Sequence, residues 1–596
     1  MDHKSSEPSL LSALPASSAS QSCLKPITQL FLLVFPLVQR PNPDLIRPDP
    51  SSPCGPGNSA TMFSNVSSKY KDIMSKSALI RSGCPALYQL RPKKQMFGTL
   101  SRMTVGEKRQ NNENKTVLLV GETGTGKSTL INALINYTMG VKFEDNVWFQ
   151  IVEDVKKSQT ESQTSDVIVY EIFGFEGQTL PYSLTIIDTP GYGDTAGTEK
   201  DDLVSQRLFD LFRSEDGVHE IHAVGLVVKA TENRLSDRLM YIFNSVMSLF
   251  EKNVKNNIVA LITHSDGTEP ENVLQALEAA KIKCATDEKN QPGHFLFNNQ
   301  QSKDRLKGRK FLEQADEISV RGMREFISFL ETSQPQTLEK TVQVLNEHVR
   351  LTACIQNLEE RIRLIKLKQT EIRQTKEALK THEEEMKTNK DFTIEVDEVY
   401  KEKQEISGGM WGLFYEAAVT CNRCEETCHY PGCTVAWYPN ACEVMSGGCC
   451  TVCSNHCHHS NHVKEKWIYV NKTRKVQKTI YQIKEKYEKN KSEKEEKKSL
   501  LENLEQEMKT LTAKKDQFLE ESYQHLLSLE KIALNVNSLS THVHLDILIE
   551  KMEERGDREK VQKLEEMKSR GDKGIQAGLR YKYRKQTSGG KDMKPR

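Results

Sequence analysis

The chain has 596 residues, several times the size of a typical domain, so a single compact domain is excluded. Lysine plus arginine (83) nearly balances aspartate plus glutamate (82), and the formal charge of +1 provides no global basic field for nucleic acid. With 28% charged residues and no apolar stretch long enough to cross a bilayer as a helix, the composition predicts a charge-rich protein without a transmembrane anchor.

The amino-terminal segment is rich in serine and holds ten of the 20 prolines within its first 60 residues. Because this composition cannot bury enough apolar surface to offset chain entropy, residues 1–100 are predicted to be disordered. Residues 30–38 resemble the apolar core of a signal peptide, but a long leader precedes them and Gln39-Arg40-Pro41 replaces a small-residue cleavage site. A loose tail is favoured, or an extension upstream of a true start at Met62 or Met74.

The next segment alternates short β-branched runs with helical stretches, as in an α/β unit with a mostly parallel sheet. The predicted strands are Val117–Val120, Val167–Phe173, Leu184–Asp188, Ala223–Val228, Ile258–Thr263 and Phe295–Phe297. A turn at residues 174–177 predicts that the second and third strands form an antiparallel hairpin. The fold class predicted for residues 110–335 is therefore a doubly wound α/β domain with one reversed strand.

A complete phosphate-binding loop follows the first strand and precedes a helix, which is the context that this motif requires. Its residues are Gly121, Glu122, Thr123, Gly124, Thr125, Gly126, Lys127 and Ser128, with Thr129 next in the helix. The glycines let backbone N–H groups surround phosphate oxygens, and Lys127 can reach the β and γ phosphates. Ser128 offers a hydroxyl to Mg²⁺. The sequence therefore predicts a nucleotide site.

A second nucleotide motif, Asp188-Thr189-Pro190-Gly191, ends the third strand. Asp188 is expected to hold Mg²⁺ through water, and the Gly191 N–H to sense the γ-phosphate. The polar loop before the hairpin contains two threonines, of which Thr164 is favoured over Thr160 to close on Mg²⁺ as a switch. Lys127, Thr164 and Gly191 are the predicted catalytic residues.

The identity of the base is expected to be read after the strand that ends at Thr263. Asp266 can accept two hydrogen bonds from the N1–H and N2 amino groups of guanine, which adenine cannot supply. The alternative is that Asp266 is an ordinary cap between a strand and a helix.

Residues 121–134 and 188–195 together resemble the septin and GIMAP (GTPase of immunity-associated protein) branch of the P-loop GTPases. The stretch from His222 to Val228, with Thr231 and Arg234, is similar to a conserved GIMAP box, so GIMAP is the closer resemblance. Over residues 116–335 it implies binding of GTP and GDP with Mg²⁺, slow hydrolysis and nucleotide-dependent dimerisation of G domains. The guanine contacts that it implies are Thr263, His264, Asp266, Asn298 and Asn299.

Two departures from the resemblance carry consequences. Tyr192 follows Gly191 where a fast GTPase has a water-orienting glutamine, so intrinsic hydrolysis is predicted to be slow. The chain continues into long arms and a cysteine-rich segment in place of an apolar carboxy-terminal anchor, which argues against membrane attachment by that route. This whole arrangement resembles a group of vertebrate GTPase-like proteins.

Beyond residue 336, apolar residues recur at seven-residue spacing, which predicts coiled-coil helices. The positions are Leu351, Leu358, Ile365, Ile372, Leu379 and Met386. Residues 340–405 are predicted as a first arm and 463–535 as a second, followed by a helical extension over 536–569. The simplest geometry is an antiparallel hairpin of arms with the cysteine-rich segment at its tip, although parallel pairing between two chains satisfies the same heptads.

Residues 570–596 form a basic tail with a charge of +7. A disordered, solvated tail is favoured over weak contact with RNA or an anionic membrane surface.

Nine of the 14 cysteines lie between Cys421 and Cys457, in a predicted module over residues 406–462. Two Cys-x₂-Cys pairs have the spacing of a tetrahedral zinc site. The predicted structural Zn²⁺ ligands are Cys421, Cys424, Cys428, Cys433, Cys442, Cys450, Cys453, Cys457 and His462. One assignment gives Cys421, Cys424, Cys450 and Cys453 to a first ion and leaves the others to compete for a second. A disulfide knot requires an oxidising compartment, whereas a GTP site favours a cytoplasmic location with reduced thiols.

Three functions are compatible with these features. The favoured one is an oligomerising GTPase switch that associates with itself and with further protein partners. The alternatives are a zinc and coiled-coil scaffold with a non-hydrolysing nucleotide site and, less favoured, a zinc-dependent ubiquitin ligase, since the order of cysteines and histidines does not follow a RING pattern.

Overall fold

A computed structural model describes residues 69–97, 100–109, 112–153, 166–190, 199–287, 290–381, 393–406, 417–431, 433, 438–479, 500–536 and 539–570. All of these residues lie within the unit that covers residues 62–596.

The strands of the first half of the described chain are β1 (Ala78–Arg81), β2 (Ala86–Gln89), β3 (Lys93–Phe97), β4 (Leu100–Val105), β5 (Asn114–Gly121), β6 (Val147–Gln150), β7 (Ile168–Ile172), β8 (Ser183–Asp188), β9 (Glu220–Ile221), β10 (Ala223–Lys229), β11 (Ile258–Thr263) and β12 (His294–Leu296). The remaining strands are β13 (Gln336–Thr337), β14 (Thr393–Glu405), β15 (Ala418–Cys421), β16 (Glu426–His429), β17 (Met445–Ser446), β18 (Cys449–Cys450), β19 (His462–Glu465) and β20 (Trp467–Thr479).

The α-helices are α1 (Lys71–Lys76), α2 (Lys127–Thr138), α3 (Glu199–Arg213), α4 (Asp237–Met247), α5 (Glu271–Ala279), α6 (Arg309–Thr332), α7 (Glu339–Thr381), α8 (Leu500–Ile532), α9 (Leu539–Arg555) and α10 (Arg558–Ser569). Short 3₁₀ helices cover Phe143–Asp145, Lys252–Asn257, Pro439–Ala441 and His459–Asn461. Within the described parts of the chain, no helix is long and apolar enough to cross a membrane.

An eight-stranded sheet forms the centre of the first domain, in the order β12-β11-β10-β5-β8-β7-β4-β3. Strands β12, β11, β10, β5 and β8 are parallel, and β7 pairs with β8 in the antiparallel sense, so the predicted reversed hairpin is confirmed. Alternate side chains of β5 enter two apolar cores: Val117 and Leu119 face helices α2 and α6, while Leu118 and Val120 face α3, α4 and α5. The site-bearing loops therefore start from a sheet that is packed on both faces.

The region predicted to be disordered up to residue 100 includes folded structure, and in this the prediction is wrong. Strand β4 pairs in parallel with β7, and β3 pairs with β4, so both extend the central sheet. A small second sheet has the order β1-β2-β6. Lys93–Phe97 is an edge strand in which four of the five residues are exposed and the first two are lysines. Such strands give little hydrophobic signal in the sequence.

The helices beyond the sheet form a bundle within one chain. Between α7 and α8, an ion pair joins Lys376 to Glu505 (2.9 Å) and a hydrogen bond joins His525 to Glu347 (2.8 Å), so the two helices run antiparallel. The predicted heptad residues Leu351, Leu358, Ile365 and Ile372 are all buried. The side chain of Leu379 and residue Met386 lie outside the described structure. Helices α9 and α10 add Leu545, Leu548, Met552, Leu564 and Met567 to the same apolar core.

The two arms are not helical throughout, which corrects the prediction for residues 340–405 and 463–535. Strands β14 and β20 form an antiparallel ribbon of 13 residue pairs, from Thr393 opposite Thr479 to Glu405 opposite Trp467. Its mixed charges, which suggested a solvated helix, are paired across the strands instead: Glu398 contacts Arg474 (2.7 Å) and Glu395 contacts Lys475 (3.1 Å).

The cysteine-rich module lies beside the domain of the eight-stranded sheet, where Arg213 of α3 pairs with Glu443, and not at the tip of the arms. The ribbon runs back along α7, where Gln374 bonds the Asp397 backbone N–H (2.9 Å) and Asn471 bonds Glu360 (3.2 Å). At the near end, Asn357 of α7 donates to the Thr427 carbonyl (2.9 Å). The heptad pattern of the helices could not predict that the chain turns back along α7, because the turning segment is a β-ribbon and has no heptads.

Candidate functional site

The phosphate-binding loop joins β5 to α2 through a backbone that favours glycine. Gly124 and Gly126 have φ of +84° and +91°, in the left-handed region. A Cβ atom added to Gly121 would lie 2.7 Å from the Val227 carbonyl oxygen of the neighbouring strand. Helix α2 begins at Lys127, directly after the loop, so its first N–H groups and its positive dipole end lie at the loop.

The Lys127 ammonium is buried inside this loop. Its Nζ donates a hydrogen bond of 2.8 Å to the Gly121 carbonyl. Burial lowers the pKa of Lys127, whereas the nearby Asp188 carboxylate acts in the opposite direction. A phosphate at the loop would offer this amine an acceptor of greater charge than a carbonyl.

Asp188 is fully buried at the end of β8, and the next residue ties this strand to the loop strand, since the Thr189 hydroxyl donates to the Leu119 carbonyl (2.9 Å). On the other side, the Thr263 hydroxyl donates to the Thr125 carbonyl (2.6 Å). The phosphate loop is thus fixed from two neighbouring strands before any ligand binds.

A cavity of about 490 Å³ opens above the loop, a volume in the usual range for small-molecule sites. Its lining contains Glu122, Thr123, Gly124, Gly126, Lys127, Ser128, Thr129, Thr263, His264, Asn298, Asn299, Gln300, Ser302 and Lys303. Eleven of these residues are predicted site residues, and they come from three separate stretches of the chain. Gln300, Ser302 and Lys303 are the additions, and the only signal for them in the sequence is their position just after the last strand.

Asn299 carries the clearest unused recognition group in the cavity lining. Its side-chain nitrogen and oxygen are both buried and have no hydrogen-bond partner. The neighbouring Asn298 differs, because Gln300 donates to its side-chain oxygen (2.7 Å). A buried, unpaired amide costs free energy unless a ligand completes its hydrogen bonds.

His264 lies opposite the phosphate loop with a left-handed backbone (φ +56°). Partial burial lowers the pKa of His264 below its ordinary value, and Lys229 and Lys303 lower it further, which favours the neutral ring at pH 7. Its Nδ1 lies 3.1 Å from the Thr263 hydroxyl. A neutral ring of this kind can contact a base by stacking or through Nε2.

Asp266 does not line the cavity. Its side chain is exposed, and its Oδ1 accepts hydrogen bonds from the Thr268 N–H (3.0 Å) and hydroxyl (2.6 Å). Asp266 therefore caps a turn, which was the alternative to its predicted contact with guanine. The hydrogen bonds from Thr268 also lower the pKa of Asp266. Of the other predicted residues, Gly121, Thr125 and Asp188 support the loop from behind, while Thr164 and Gly191 lie outside the described residues.

The cysteine-rich module brings its ligand-type side chains together in three groups. In each group, the candidate donor atoms lie within 4.8 Å of one another. The first group is Cys421, Cys424, Cys453 and Cys457; the second is Cys428, Cys450, Cys453 and His462; the third is His429, Cys433, Cys442 and Glu443. The predicted ligands are therefore all clustered, but their pairing differs from the prediction.

The correction concerns which cysteines share a group. Cys450 lies with Cys428 and His462 and not with Cys421 and Cys424, whose partner is Cys457. The two Cys-x₂-Cys motifs meet only through Cys453. Cys421 lies on β15 and Cys450 on the β17–β18 hairpin, and these strands belong to different sheets. Sequence spacing identifies such pairs but contains no information about how they combine.

His462 is oriented as a metal ligand. Its Nδ1 lies 3.1 Å from the His458 carbonyl, to which it donates, and its Nε2 is buried without a hydrogen-bond partner. In metal-binding histidines, the ring nitrogen that does not bind the metal usually donates such a hydrogen bond, which fixes the orientation of the ring. Hydrogen bonds from Cys428 and Cys453 hold the pKa of Cys450 well below its ordinary value, so a thiolate is favoured there.

With this geometry established, comparison with known proteins identifies the first domain. Residues 115–322 match the sequence model of the AIG1 family. This segment is an AIG1-family, GIMAP-type P-loop GTPase domain. The predicted resemblance and the α/β fold class are thereby confirmed.

Septins are similar over part of the same domain. Septin-5 of Homo sapiens is 29% identical over 109 residues, which cover 17% of this chain and 27% of the septin. Septin-1 of Drosophila melanogaster is 27% identical over 114 residues, which cover 18% of this chain and 29% of the septin. The chain thus spans less than a third of the length of these relatives.

Among solved structures, Toc33 from Arabidopsis thaliana in complex with Mg²⁺ and GMPPNP is 14% identical and has a TM-score of 0.27. The match covers 38% of this chain and 88% of that chain.

Proposed function

We propose that the AIG1-family domain binds GTP and GDP together with Mg²⁺ and hydrolyses GTP slowly. The observation that carries this proposal is the complete phosphate loop, with buried Lys127 at the floor of a cavity of about 490 Å³. A degenerate site would have no reason to keep the lysine, the loop glycines and the buried Asp188 together.

The donors around the loop suit Mg²⁺, which prefers oxygen ligands. Ser128 lines the cavity and Asp188 is buried at the end of the adjacent strand, so a hydroxyl and a carboxylate are available as direct or water-mediated ligands. When bound, the ion neutralises phosphate charge. Thr164 and Gly191, which lie outside the described residues, retain their proposed switch roles.

Base recognition is assigned to Asn299 and His264. The Asn299 amide is the buried group that lacks a partner, and the neutral His264 ring faces the same cavity. An amide can pair with either purine, so the preference for guanine rests on the family match. Asp266 becomes a loop-capping residue in this proposal.

Turnover is proposed to be slow and to depend on self-association. Tyr192 follows Gly191 at the position of the water-orienting glutamine of fast GTPases, so a second molecule would supply what is missing. Since α7 and α8 already bury their apolar seam within one chain, self-association is assigned to the nucleotide-binding domains and not to these helices.

Nucleotide binding can be tested with the full-length protein and fluorescent GTP, GDP and ATP analogues with and without Mg²⁺. We expect Lys127→Ala to weaken binding by at least about 100-fold and Asn299→Ala by about 10-fold. Asn298→Ala, whose side chain is held by Gln300, is the matched control and should lose less than Asn299→Ala. Asp266→Ala should bind as the wild type does. Equal binding of ATP and GTP, or a large loss in Asp266→Ala alone, would overturn this assignment.

The switch is tested by sedimentation of the same protein with GTP, with GDP and without nucleotide. Nucleotide-dependent association that is lost in Lys127→Ala supports a switch. Association of equal strength with GTP, with GDP and without nucleotide supports the scaffold alternative. The helical bundle and the cysteine-rich module are the regions that would form this scaffold.

We further propose that the first two cysteine groups hold a pair of structural Zn²⁺ ions that share Cys453. Two tetrahedral ions with one common ligand need seven donors, and the two groups together supply six cysteines and one histidine. No coordination position then remains open for catalysis. Free thiols at every described cysteine and a GTP site fit a reducing, cytoplasmic environment.

A further inference from the structure

The third side-chain group of the cysteine-rich module is separate from the other two and shares no residue with them. It consists of His429, Cys433, Cys442 and Glu443, all of which are buried. The sequence pattern gave no role to His429 or Glu443. The group supplies one nitrogen, two sulfurs and one oxygen, which is a complete donor set for a tetrahedral cation.

Four of the six separations between these donors can be compared with the edges of a zinc tetrahedron, and all six are below 4.8 Å. With ordinary bond lengths, tetrahedral Zn²⁺ gives separations of about 3.8 Å for S to S, about 3.6 Å for S to O or N, and about 3.4 Å for N to O. The two sulfurs are 3.8 Å apart, and Cys442 Sγ lies 3.6 Å from Glu443 Oε2. His429 Nδ1 lies 3.2 Å from Glu443 Oε2 and 3.1 Å from Cys442 Sγ. Only the last separation is clearly shorter than the tetrahedral value.

The carboxylate in this group is also bound by the neighbouring domain. Arg213, the last residue of helix α3, forms an ion pair with Glu443 and donates a hydrogen bond to the Ala441 carbonyl. From the other side, Arg350 of α7 donates to the Glu443 carbonyl (3.0 Å). Charged groups that orient a ligating carboxylate are typical second-sphere partners of a metal.

We propose that His429, Cys433, Cys442 and Glu443 bind a separate structural Zn²⁺ ion, and that Arg213 joins this metal site to helix α3 of the AIG1-family domain. When His429 binds the ion as a neutral ligand, the two thiolates and the Glu443 carboxylate carry three negative charges, which the ion and Arg213 together neutralise. All four positions are filled by protein, so the site has no catalytic opening. Arg213 acts as a positioning residue, because it contacts the ligand and not the metal.

This inference does not depend on nucleotide binding. In the chain, helix α3 comes after the segment that contains Gly191, and the contact is made by Arg213, the last residue of this helix. The zinc site can nevertheless be measured in protein that binds no nucleotide.

The first test counts zinc in the full-length protein by inductively coupled plasma mass spectrometry. The double variant Cys433→Ser/Cys442→Ser should hold one zinc fewer per chain than the wild type. Cys449→Ser is the matched control, because Cys449 is exposed and belongs to none of the three groups found among the described residues. If the double variant holds as much zinc per chain as the wild type and Cys449→Ser do, the proposal is overturned.

A second test needs no substitution and therefore remains valid if the variants fail to fold. The wild-type protein is loaded with ¹¹³Cd²⁺ in place of Zn²⁺, and its ¹¹³Cd resonances are recorded by NMR, since their shifts depend on the number of sulfur ligands. The third group offers two sulfurs, whereas the first offers four and the second three, so one resonance typical of a two-sulfur site should appear in addition to the others. The absence of a two-sulfur resonance in the loaded protein, or a disulfide between Cys433 and Cys442 in the native protein, contradicts a metal site.

The contribution of Arg213 is tested by competition with a chromophoric chelator. Arg213→Ala should release one zinc per chain at about 10-fold lower chelator concentration, the lower end of typical second-sphere effects. Arg213→Lys should recover part of the loss, because it keeps the charge. Arg474→Ala, at an exposed ribbon ion pair, serves as the control. Release that is unchanged in Arg213→Ala would show that the two domains are not joined through this site.

Discussion

The AIG1-family domain and the cysteine-rich module organise their candidate sites in opposite ways. In the first, the site is a loop on top of a separate apolar core, built from residues such as Val117, Leu119, Phe243 and Phe326. In the second, the buried cluster consists mainly of the cysteines, with a few residues such as Val419, Val444 and Val452 between them. The first region can therefore fold around its core before a ligand arrives, whereas in the second the ligands are the core.

The difference shows where stability and function are separable. A substitution at the phosphate loop should change binding with little effect on folding, because the core beneath it is untouched. A substitution at a module cysteine should change folding and metal binding together. Four measurements can break or sharpen this contrast.

The largest expected effect is that of metal removal. A structural zinc site contributes on the order of 10 kcal/mol to folding in small metal-dependent units. Chelation should abolish the hydrogen-exchange protection of Ala418–Cys421 and Glu426–His429, while β5 of the AIG1-family domain keeps its protection. Hydrogen exchange with mass spectrometry on the full-length protein measures both regions in one sample. Protection that persists in the module after the metal is shown to be gone would mean that its few apolar contacts suffice.

The next effect concerns the buried carboxylate that fixes the module to the arm. Glu426 accepts hydrogen bonds from the backbone N–H (2.8 Å) and hydroxyl of Ser454, and it pairs with Arg361 of α7. Glu426→Ala leaves the buried Arg361 guanidinium without its carboxylate partner, so we expect a loss of about 3 kcal/mol in the unfolding free energy of the module. The local opening free energy from hydrogen exchange measures it.

The control is an ion pair in the exposed ribbon. Glu395 and Lys475 are both largely exposed, so Glu395→Ala should cost under about 1 kcal/mol. Equal losses at the two sites would show that burial does not distinguish them.

In the AIG1-family domain, the corresponding effect is one of packing. A Cβ atom on Gly225, in the middle of β10, would lie 2.4 Å from Leu261 Cδ1 and 2.9 Å from Leu119 Cδ2. Gly225→Ala should therefore lower the domain's unfolding free energy by about 1 to 3 kcal/mol, measured by denaturant unfolding with and without nucleotide. Gly293→Ala is the matched control, since no atom lies closer than 3.5 Å to its added Cβ, and it should be nearly neutral.

These two regions also differ in how far their structure follows from sequence. The phosphate loop, the reversed hairpin of β7 and β8 and the buried heptad residues Leu351 and Leu358 all leave local patterns, because they depend on residues close together in the chain. The role of Asp266 could not be predicted, because an aspartate at this position serves either as a base contact or as a turn cap. Only the direction of its side chain distinguishes the two roles.

In the module, the sequence indicates the ligands but not their grouping. Cys453 lies between two groups, and Glu443 becomes a candidate ligand only because the backbone brings it beside His429. Such choices depend on contacts between short, irregular strands that have no periodic signal. The ribbon β14–β20 was missed for a related reason, since its charged residues fit a solvated helix as well as a paired strand.

The smallest predicted effect is a pH dependence that belongs to the AIG1-family domain. His222 is buried, and its Nδ1 accepts a hydrogen bond from the Thr116 N–H (3.1 Å). Burial, assisted by Lys115, lowers the pKa of His222 to about 4, against an ordinary value of 6.5. Between these two values, the unfolded chain binds a proton that the folded domain does not, so stability must fall as the pH is lowered from 6.5 towards 4.

We expect this histidine to contribute a loss of at most about 2 kcal/mol over that interval, once solvent screening is allowed for. Denaturant unfolding of His222→Asn, whose amide oxygen can also accept a hydrogen bond, should show a flatter pH profile than the wild type. His219→Asn, at an exposed neighbouring position, should leave the profile unchanged. If the unfolding free energy of His222→Asn depends on pH as steeply as that of the wild type, the acid sensitivity arises from other groups. The metal-independent core and the metal-dependent module would then have to be compared at pH 7 alone.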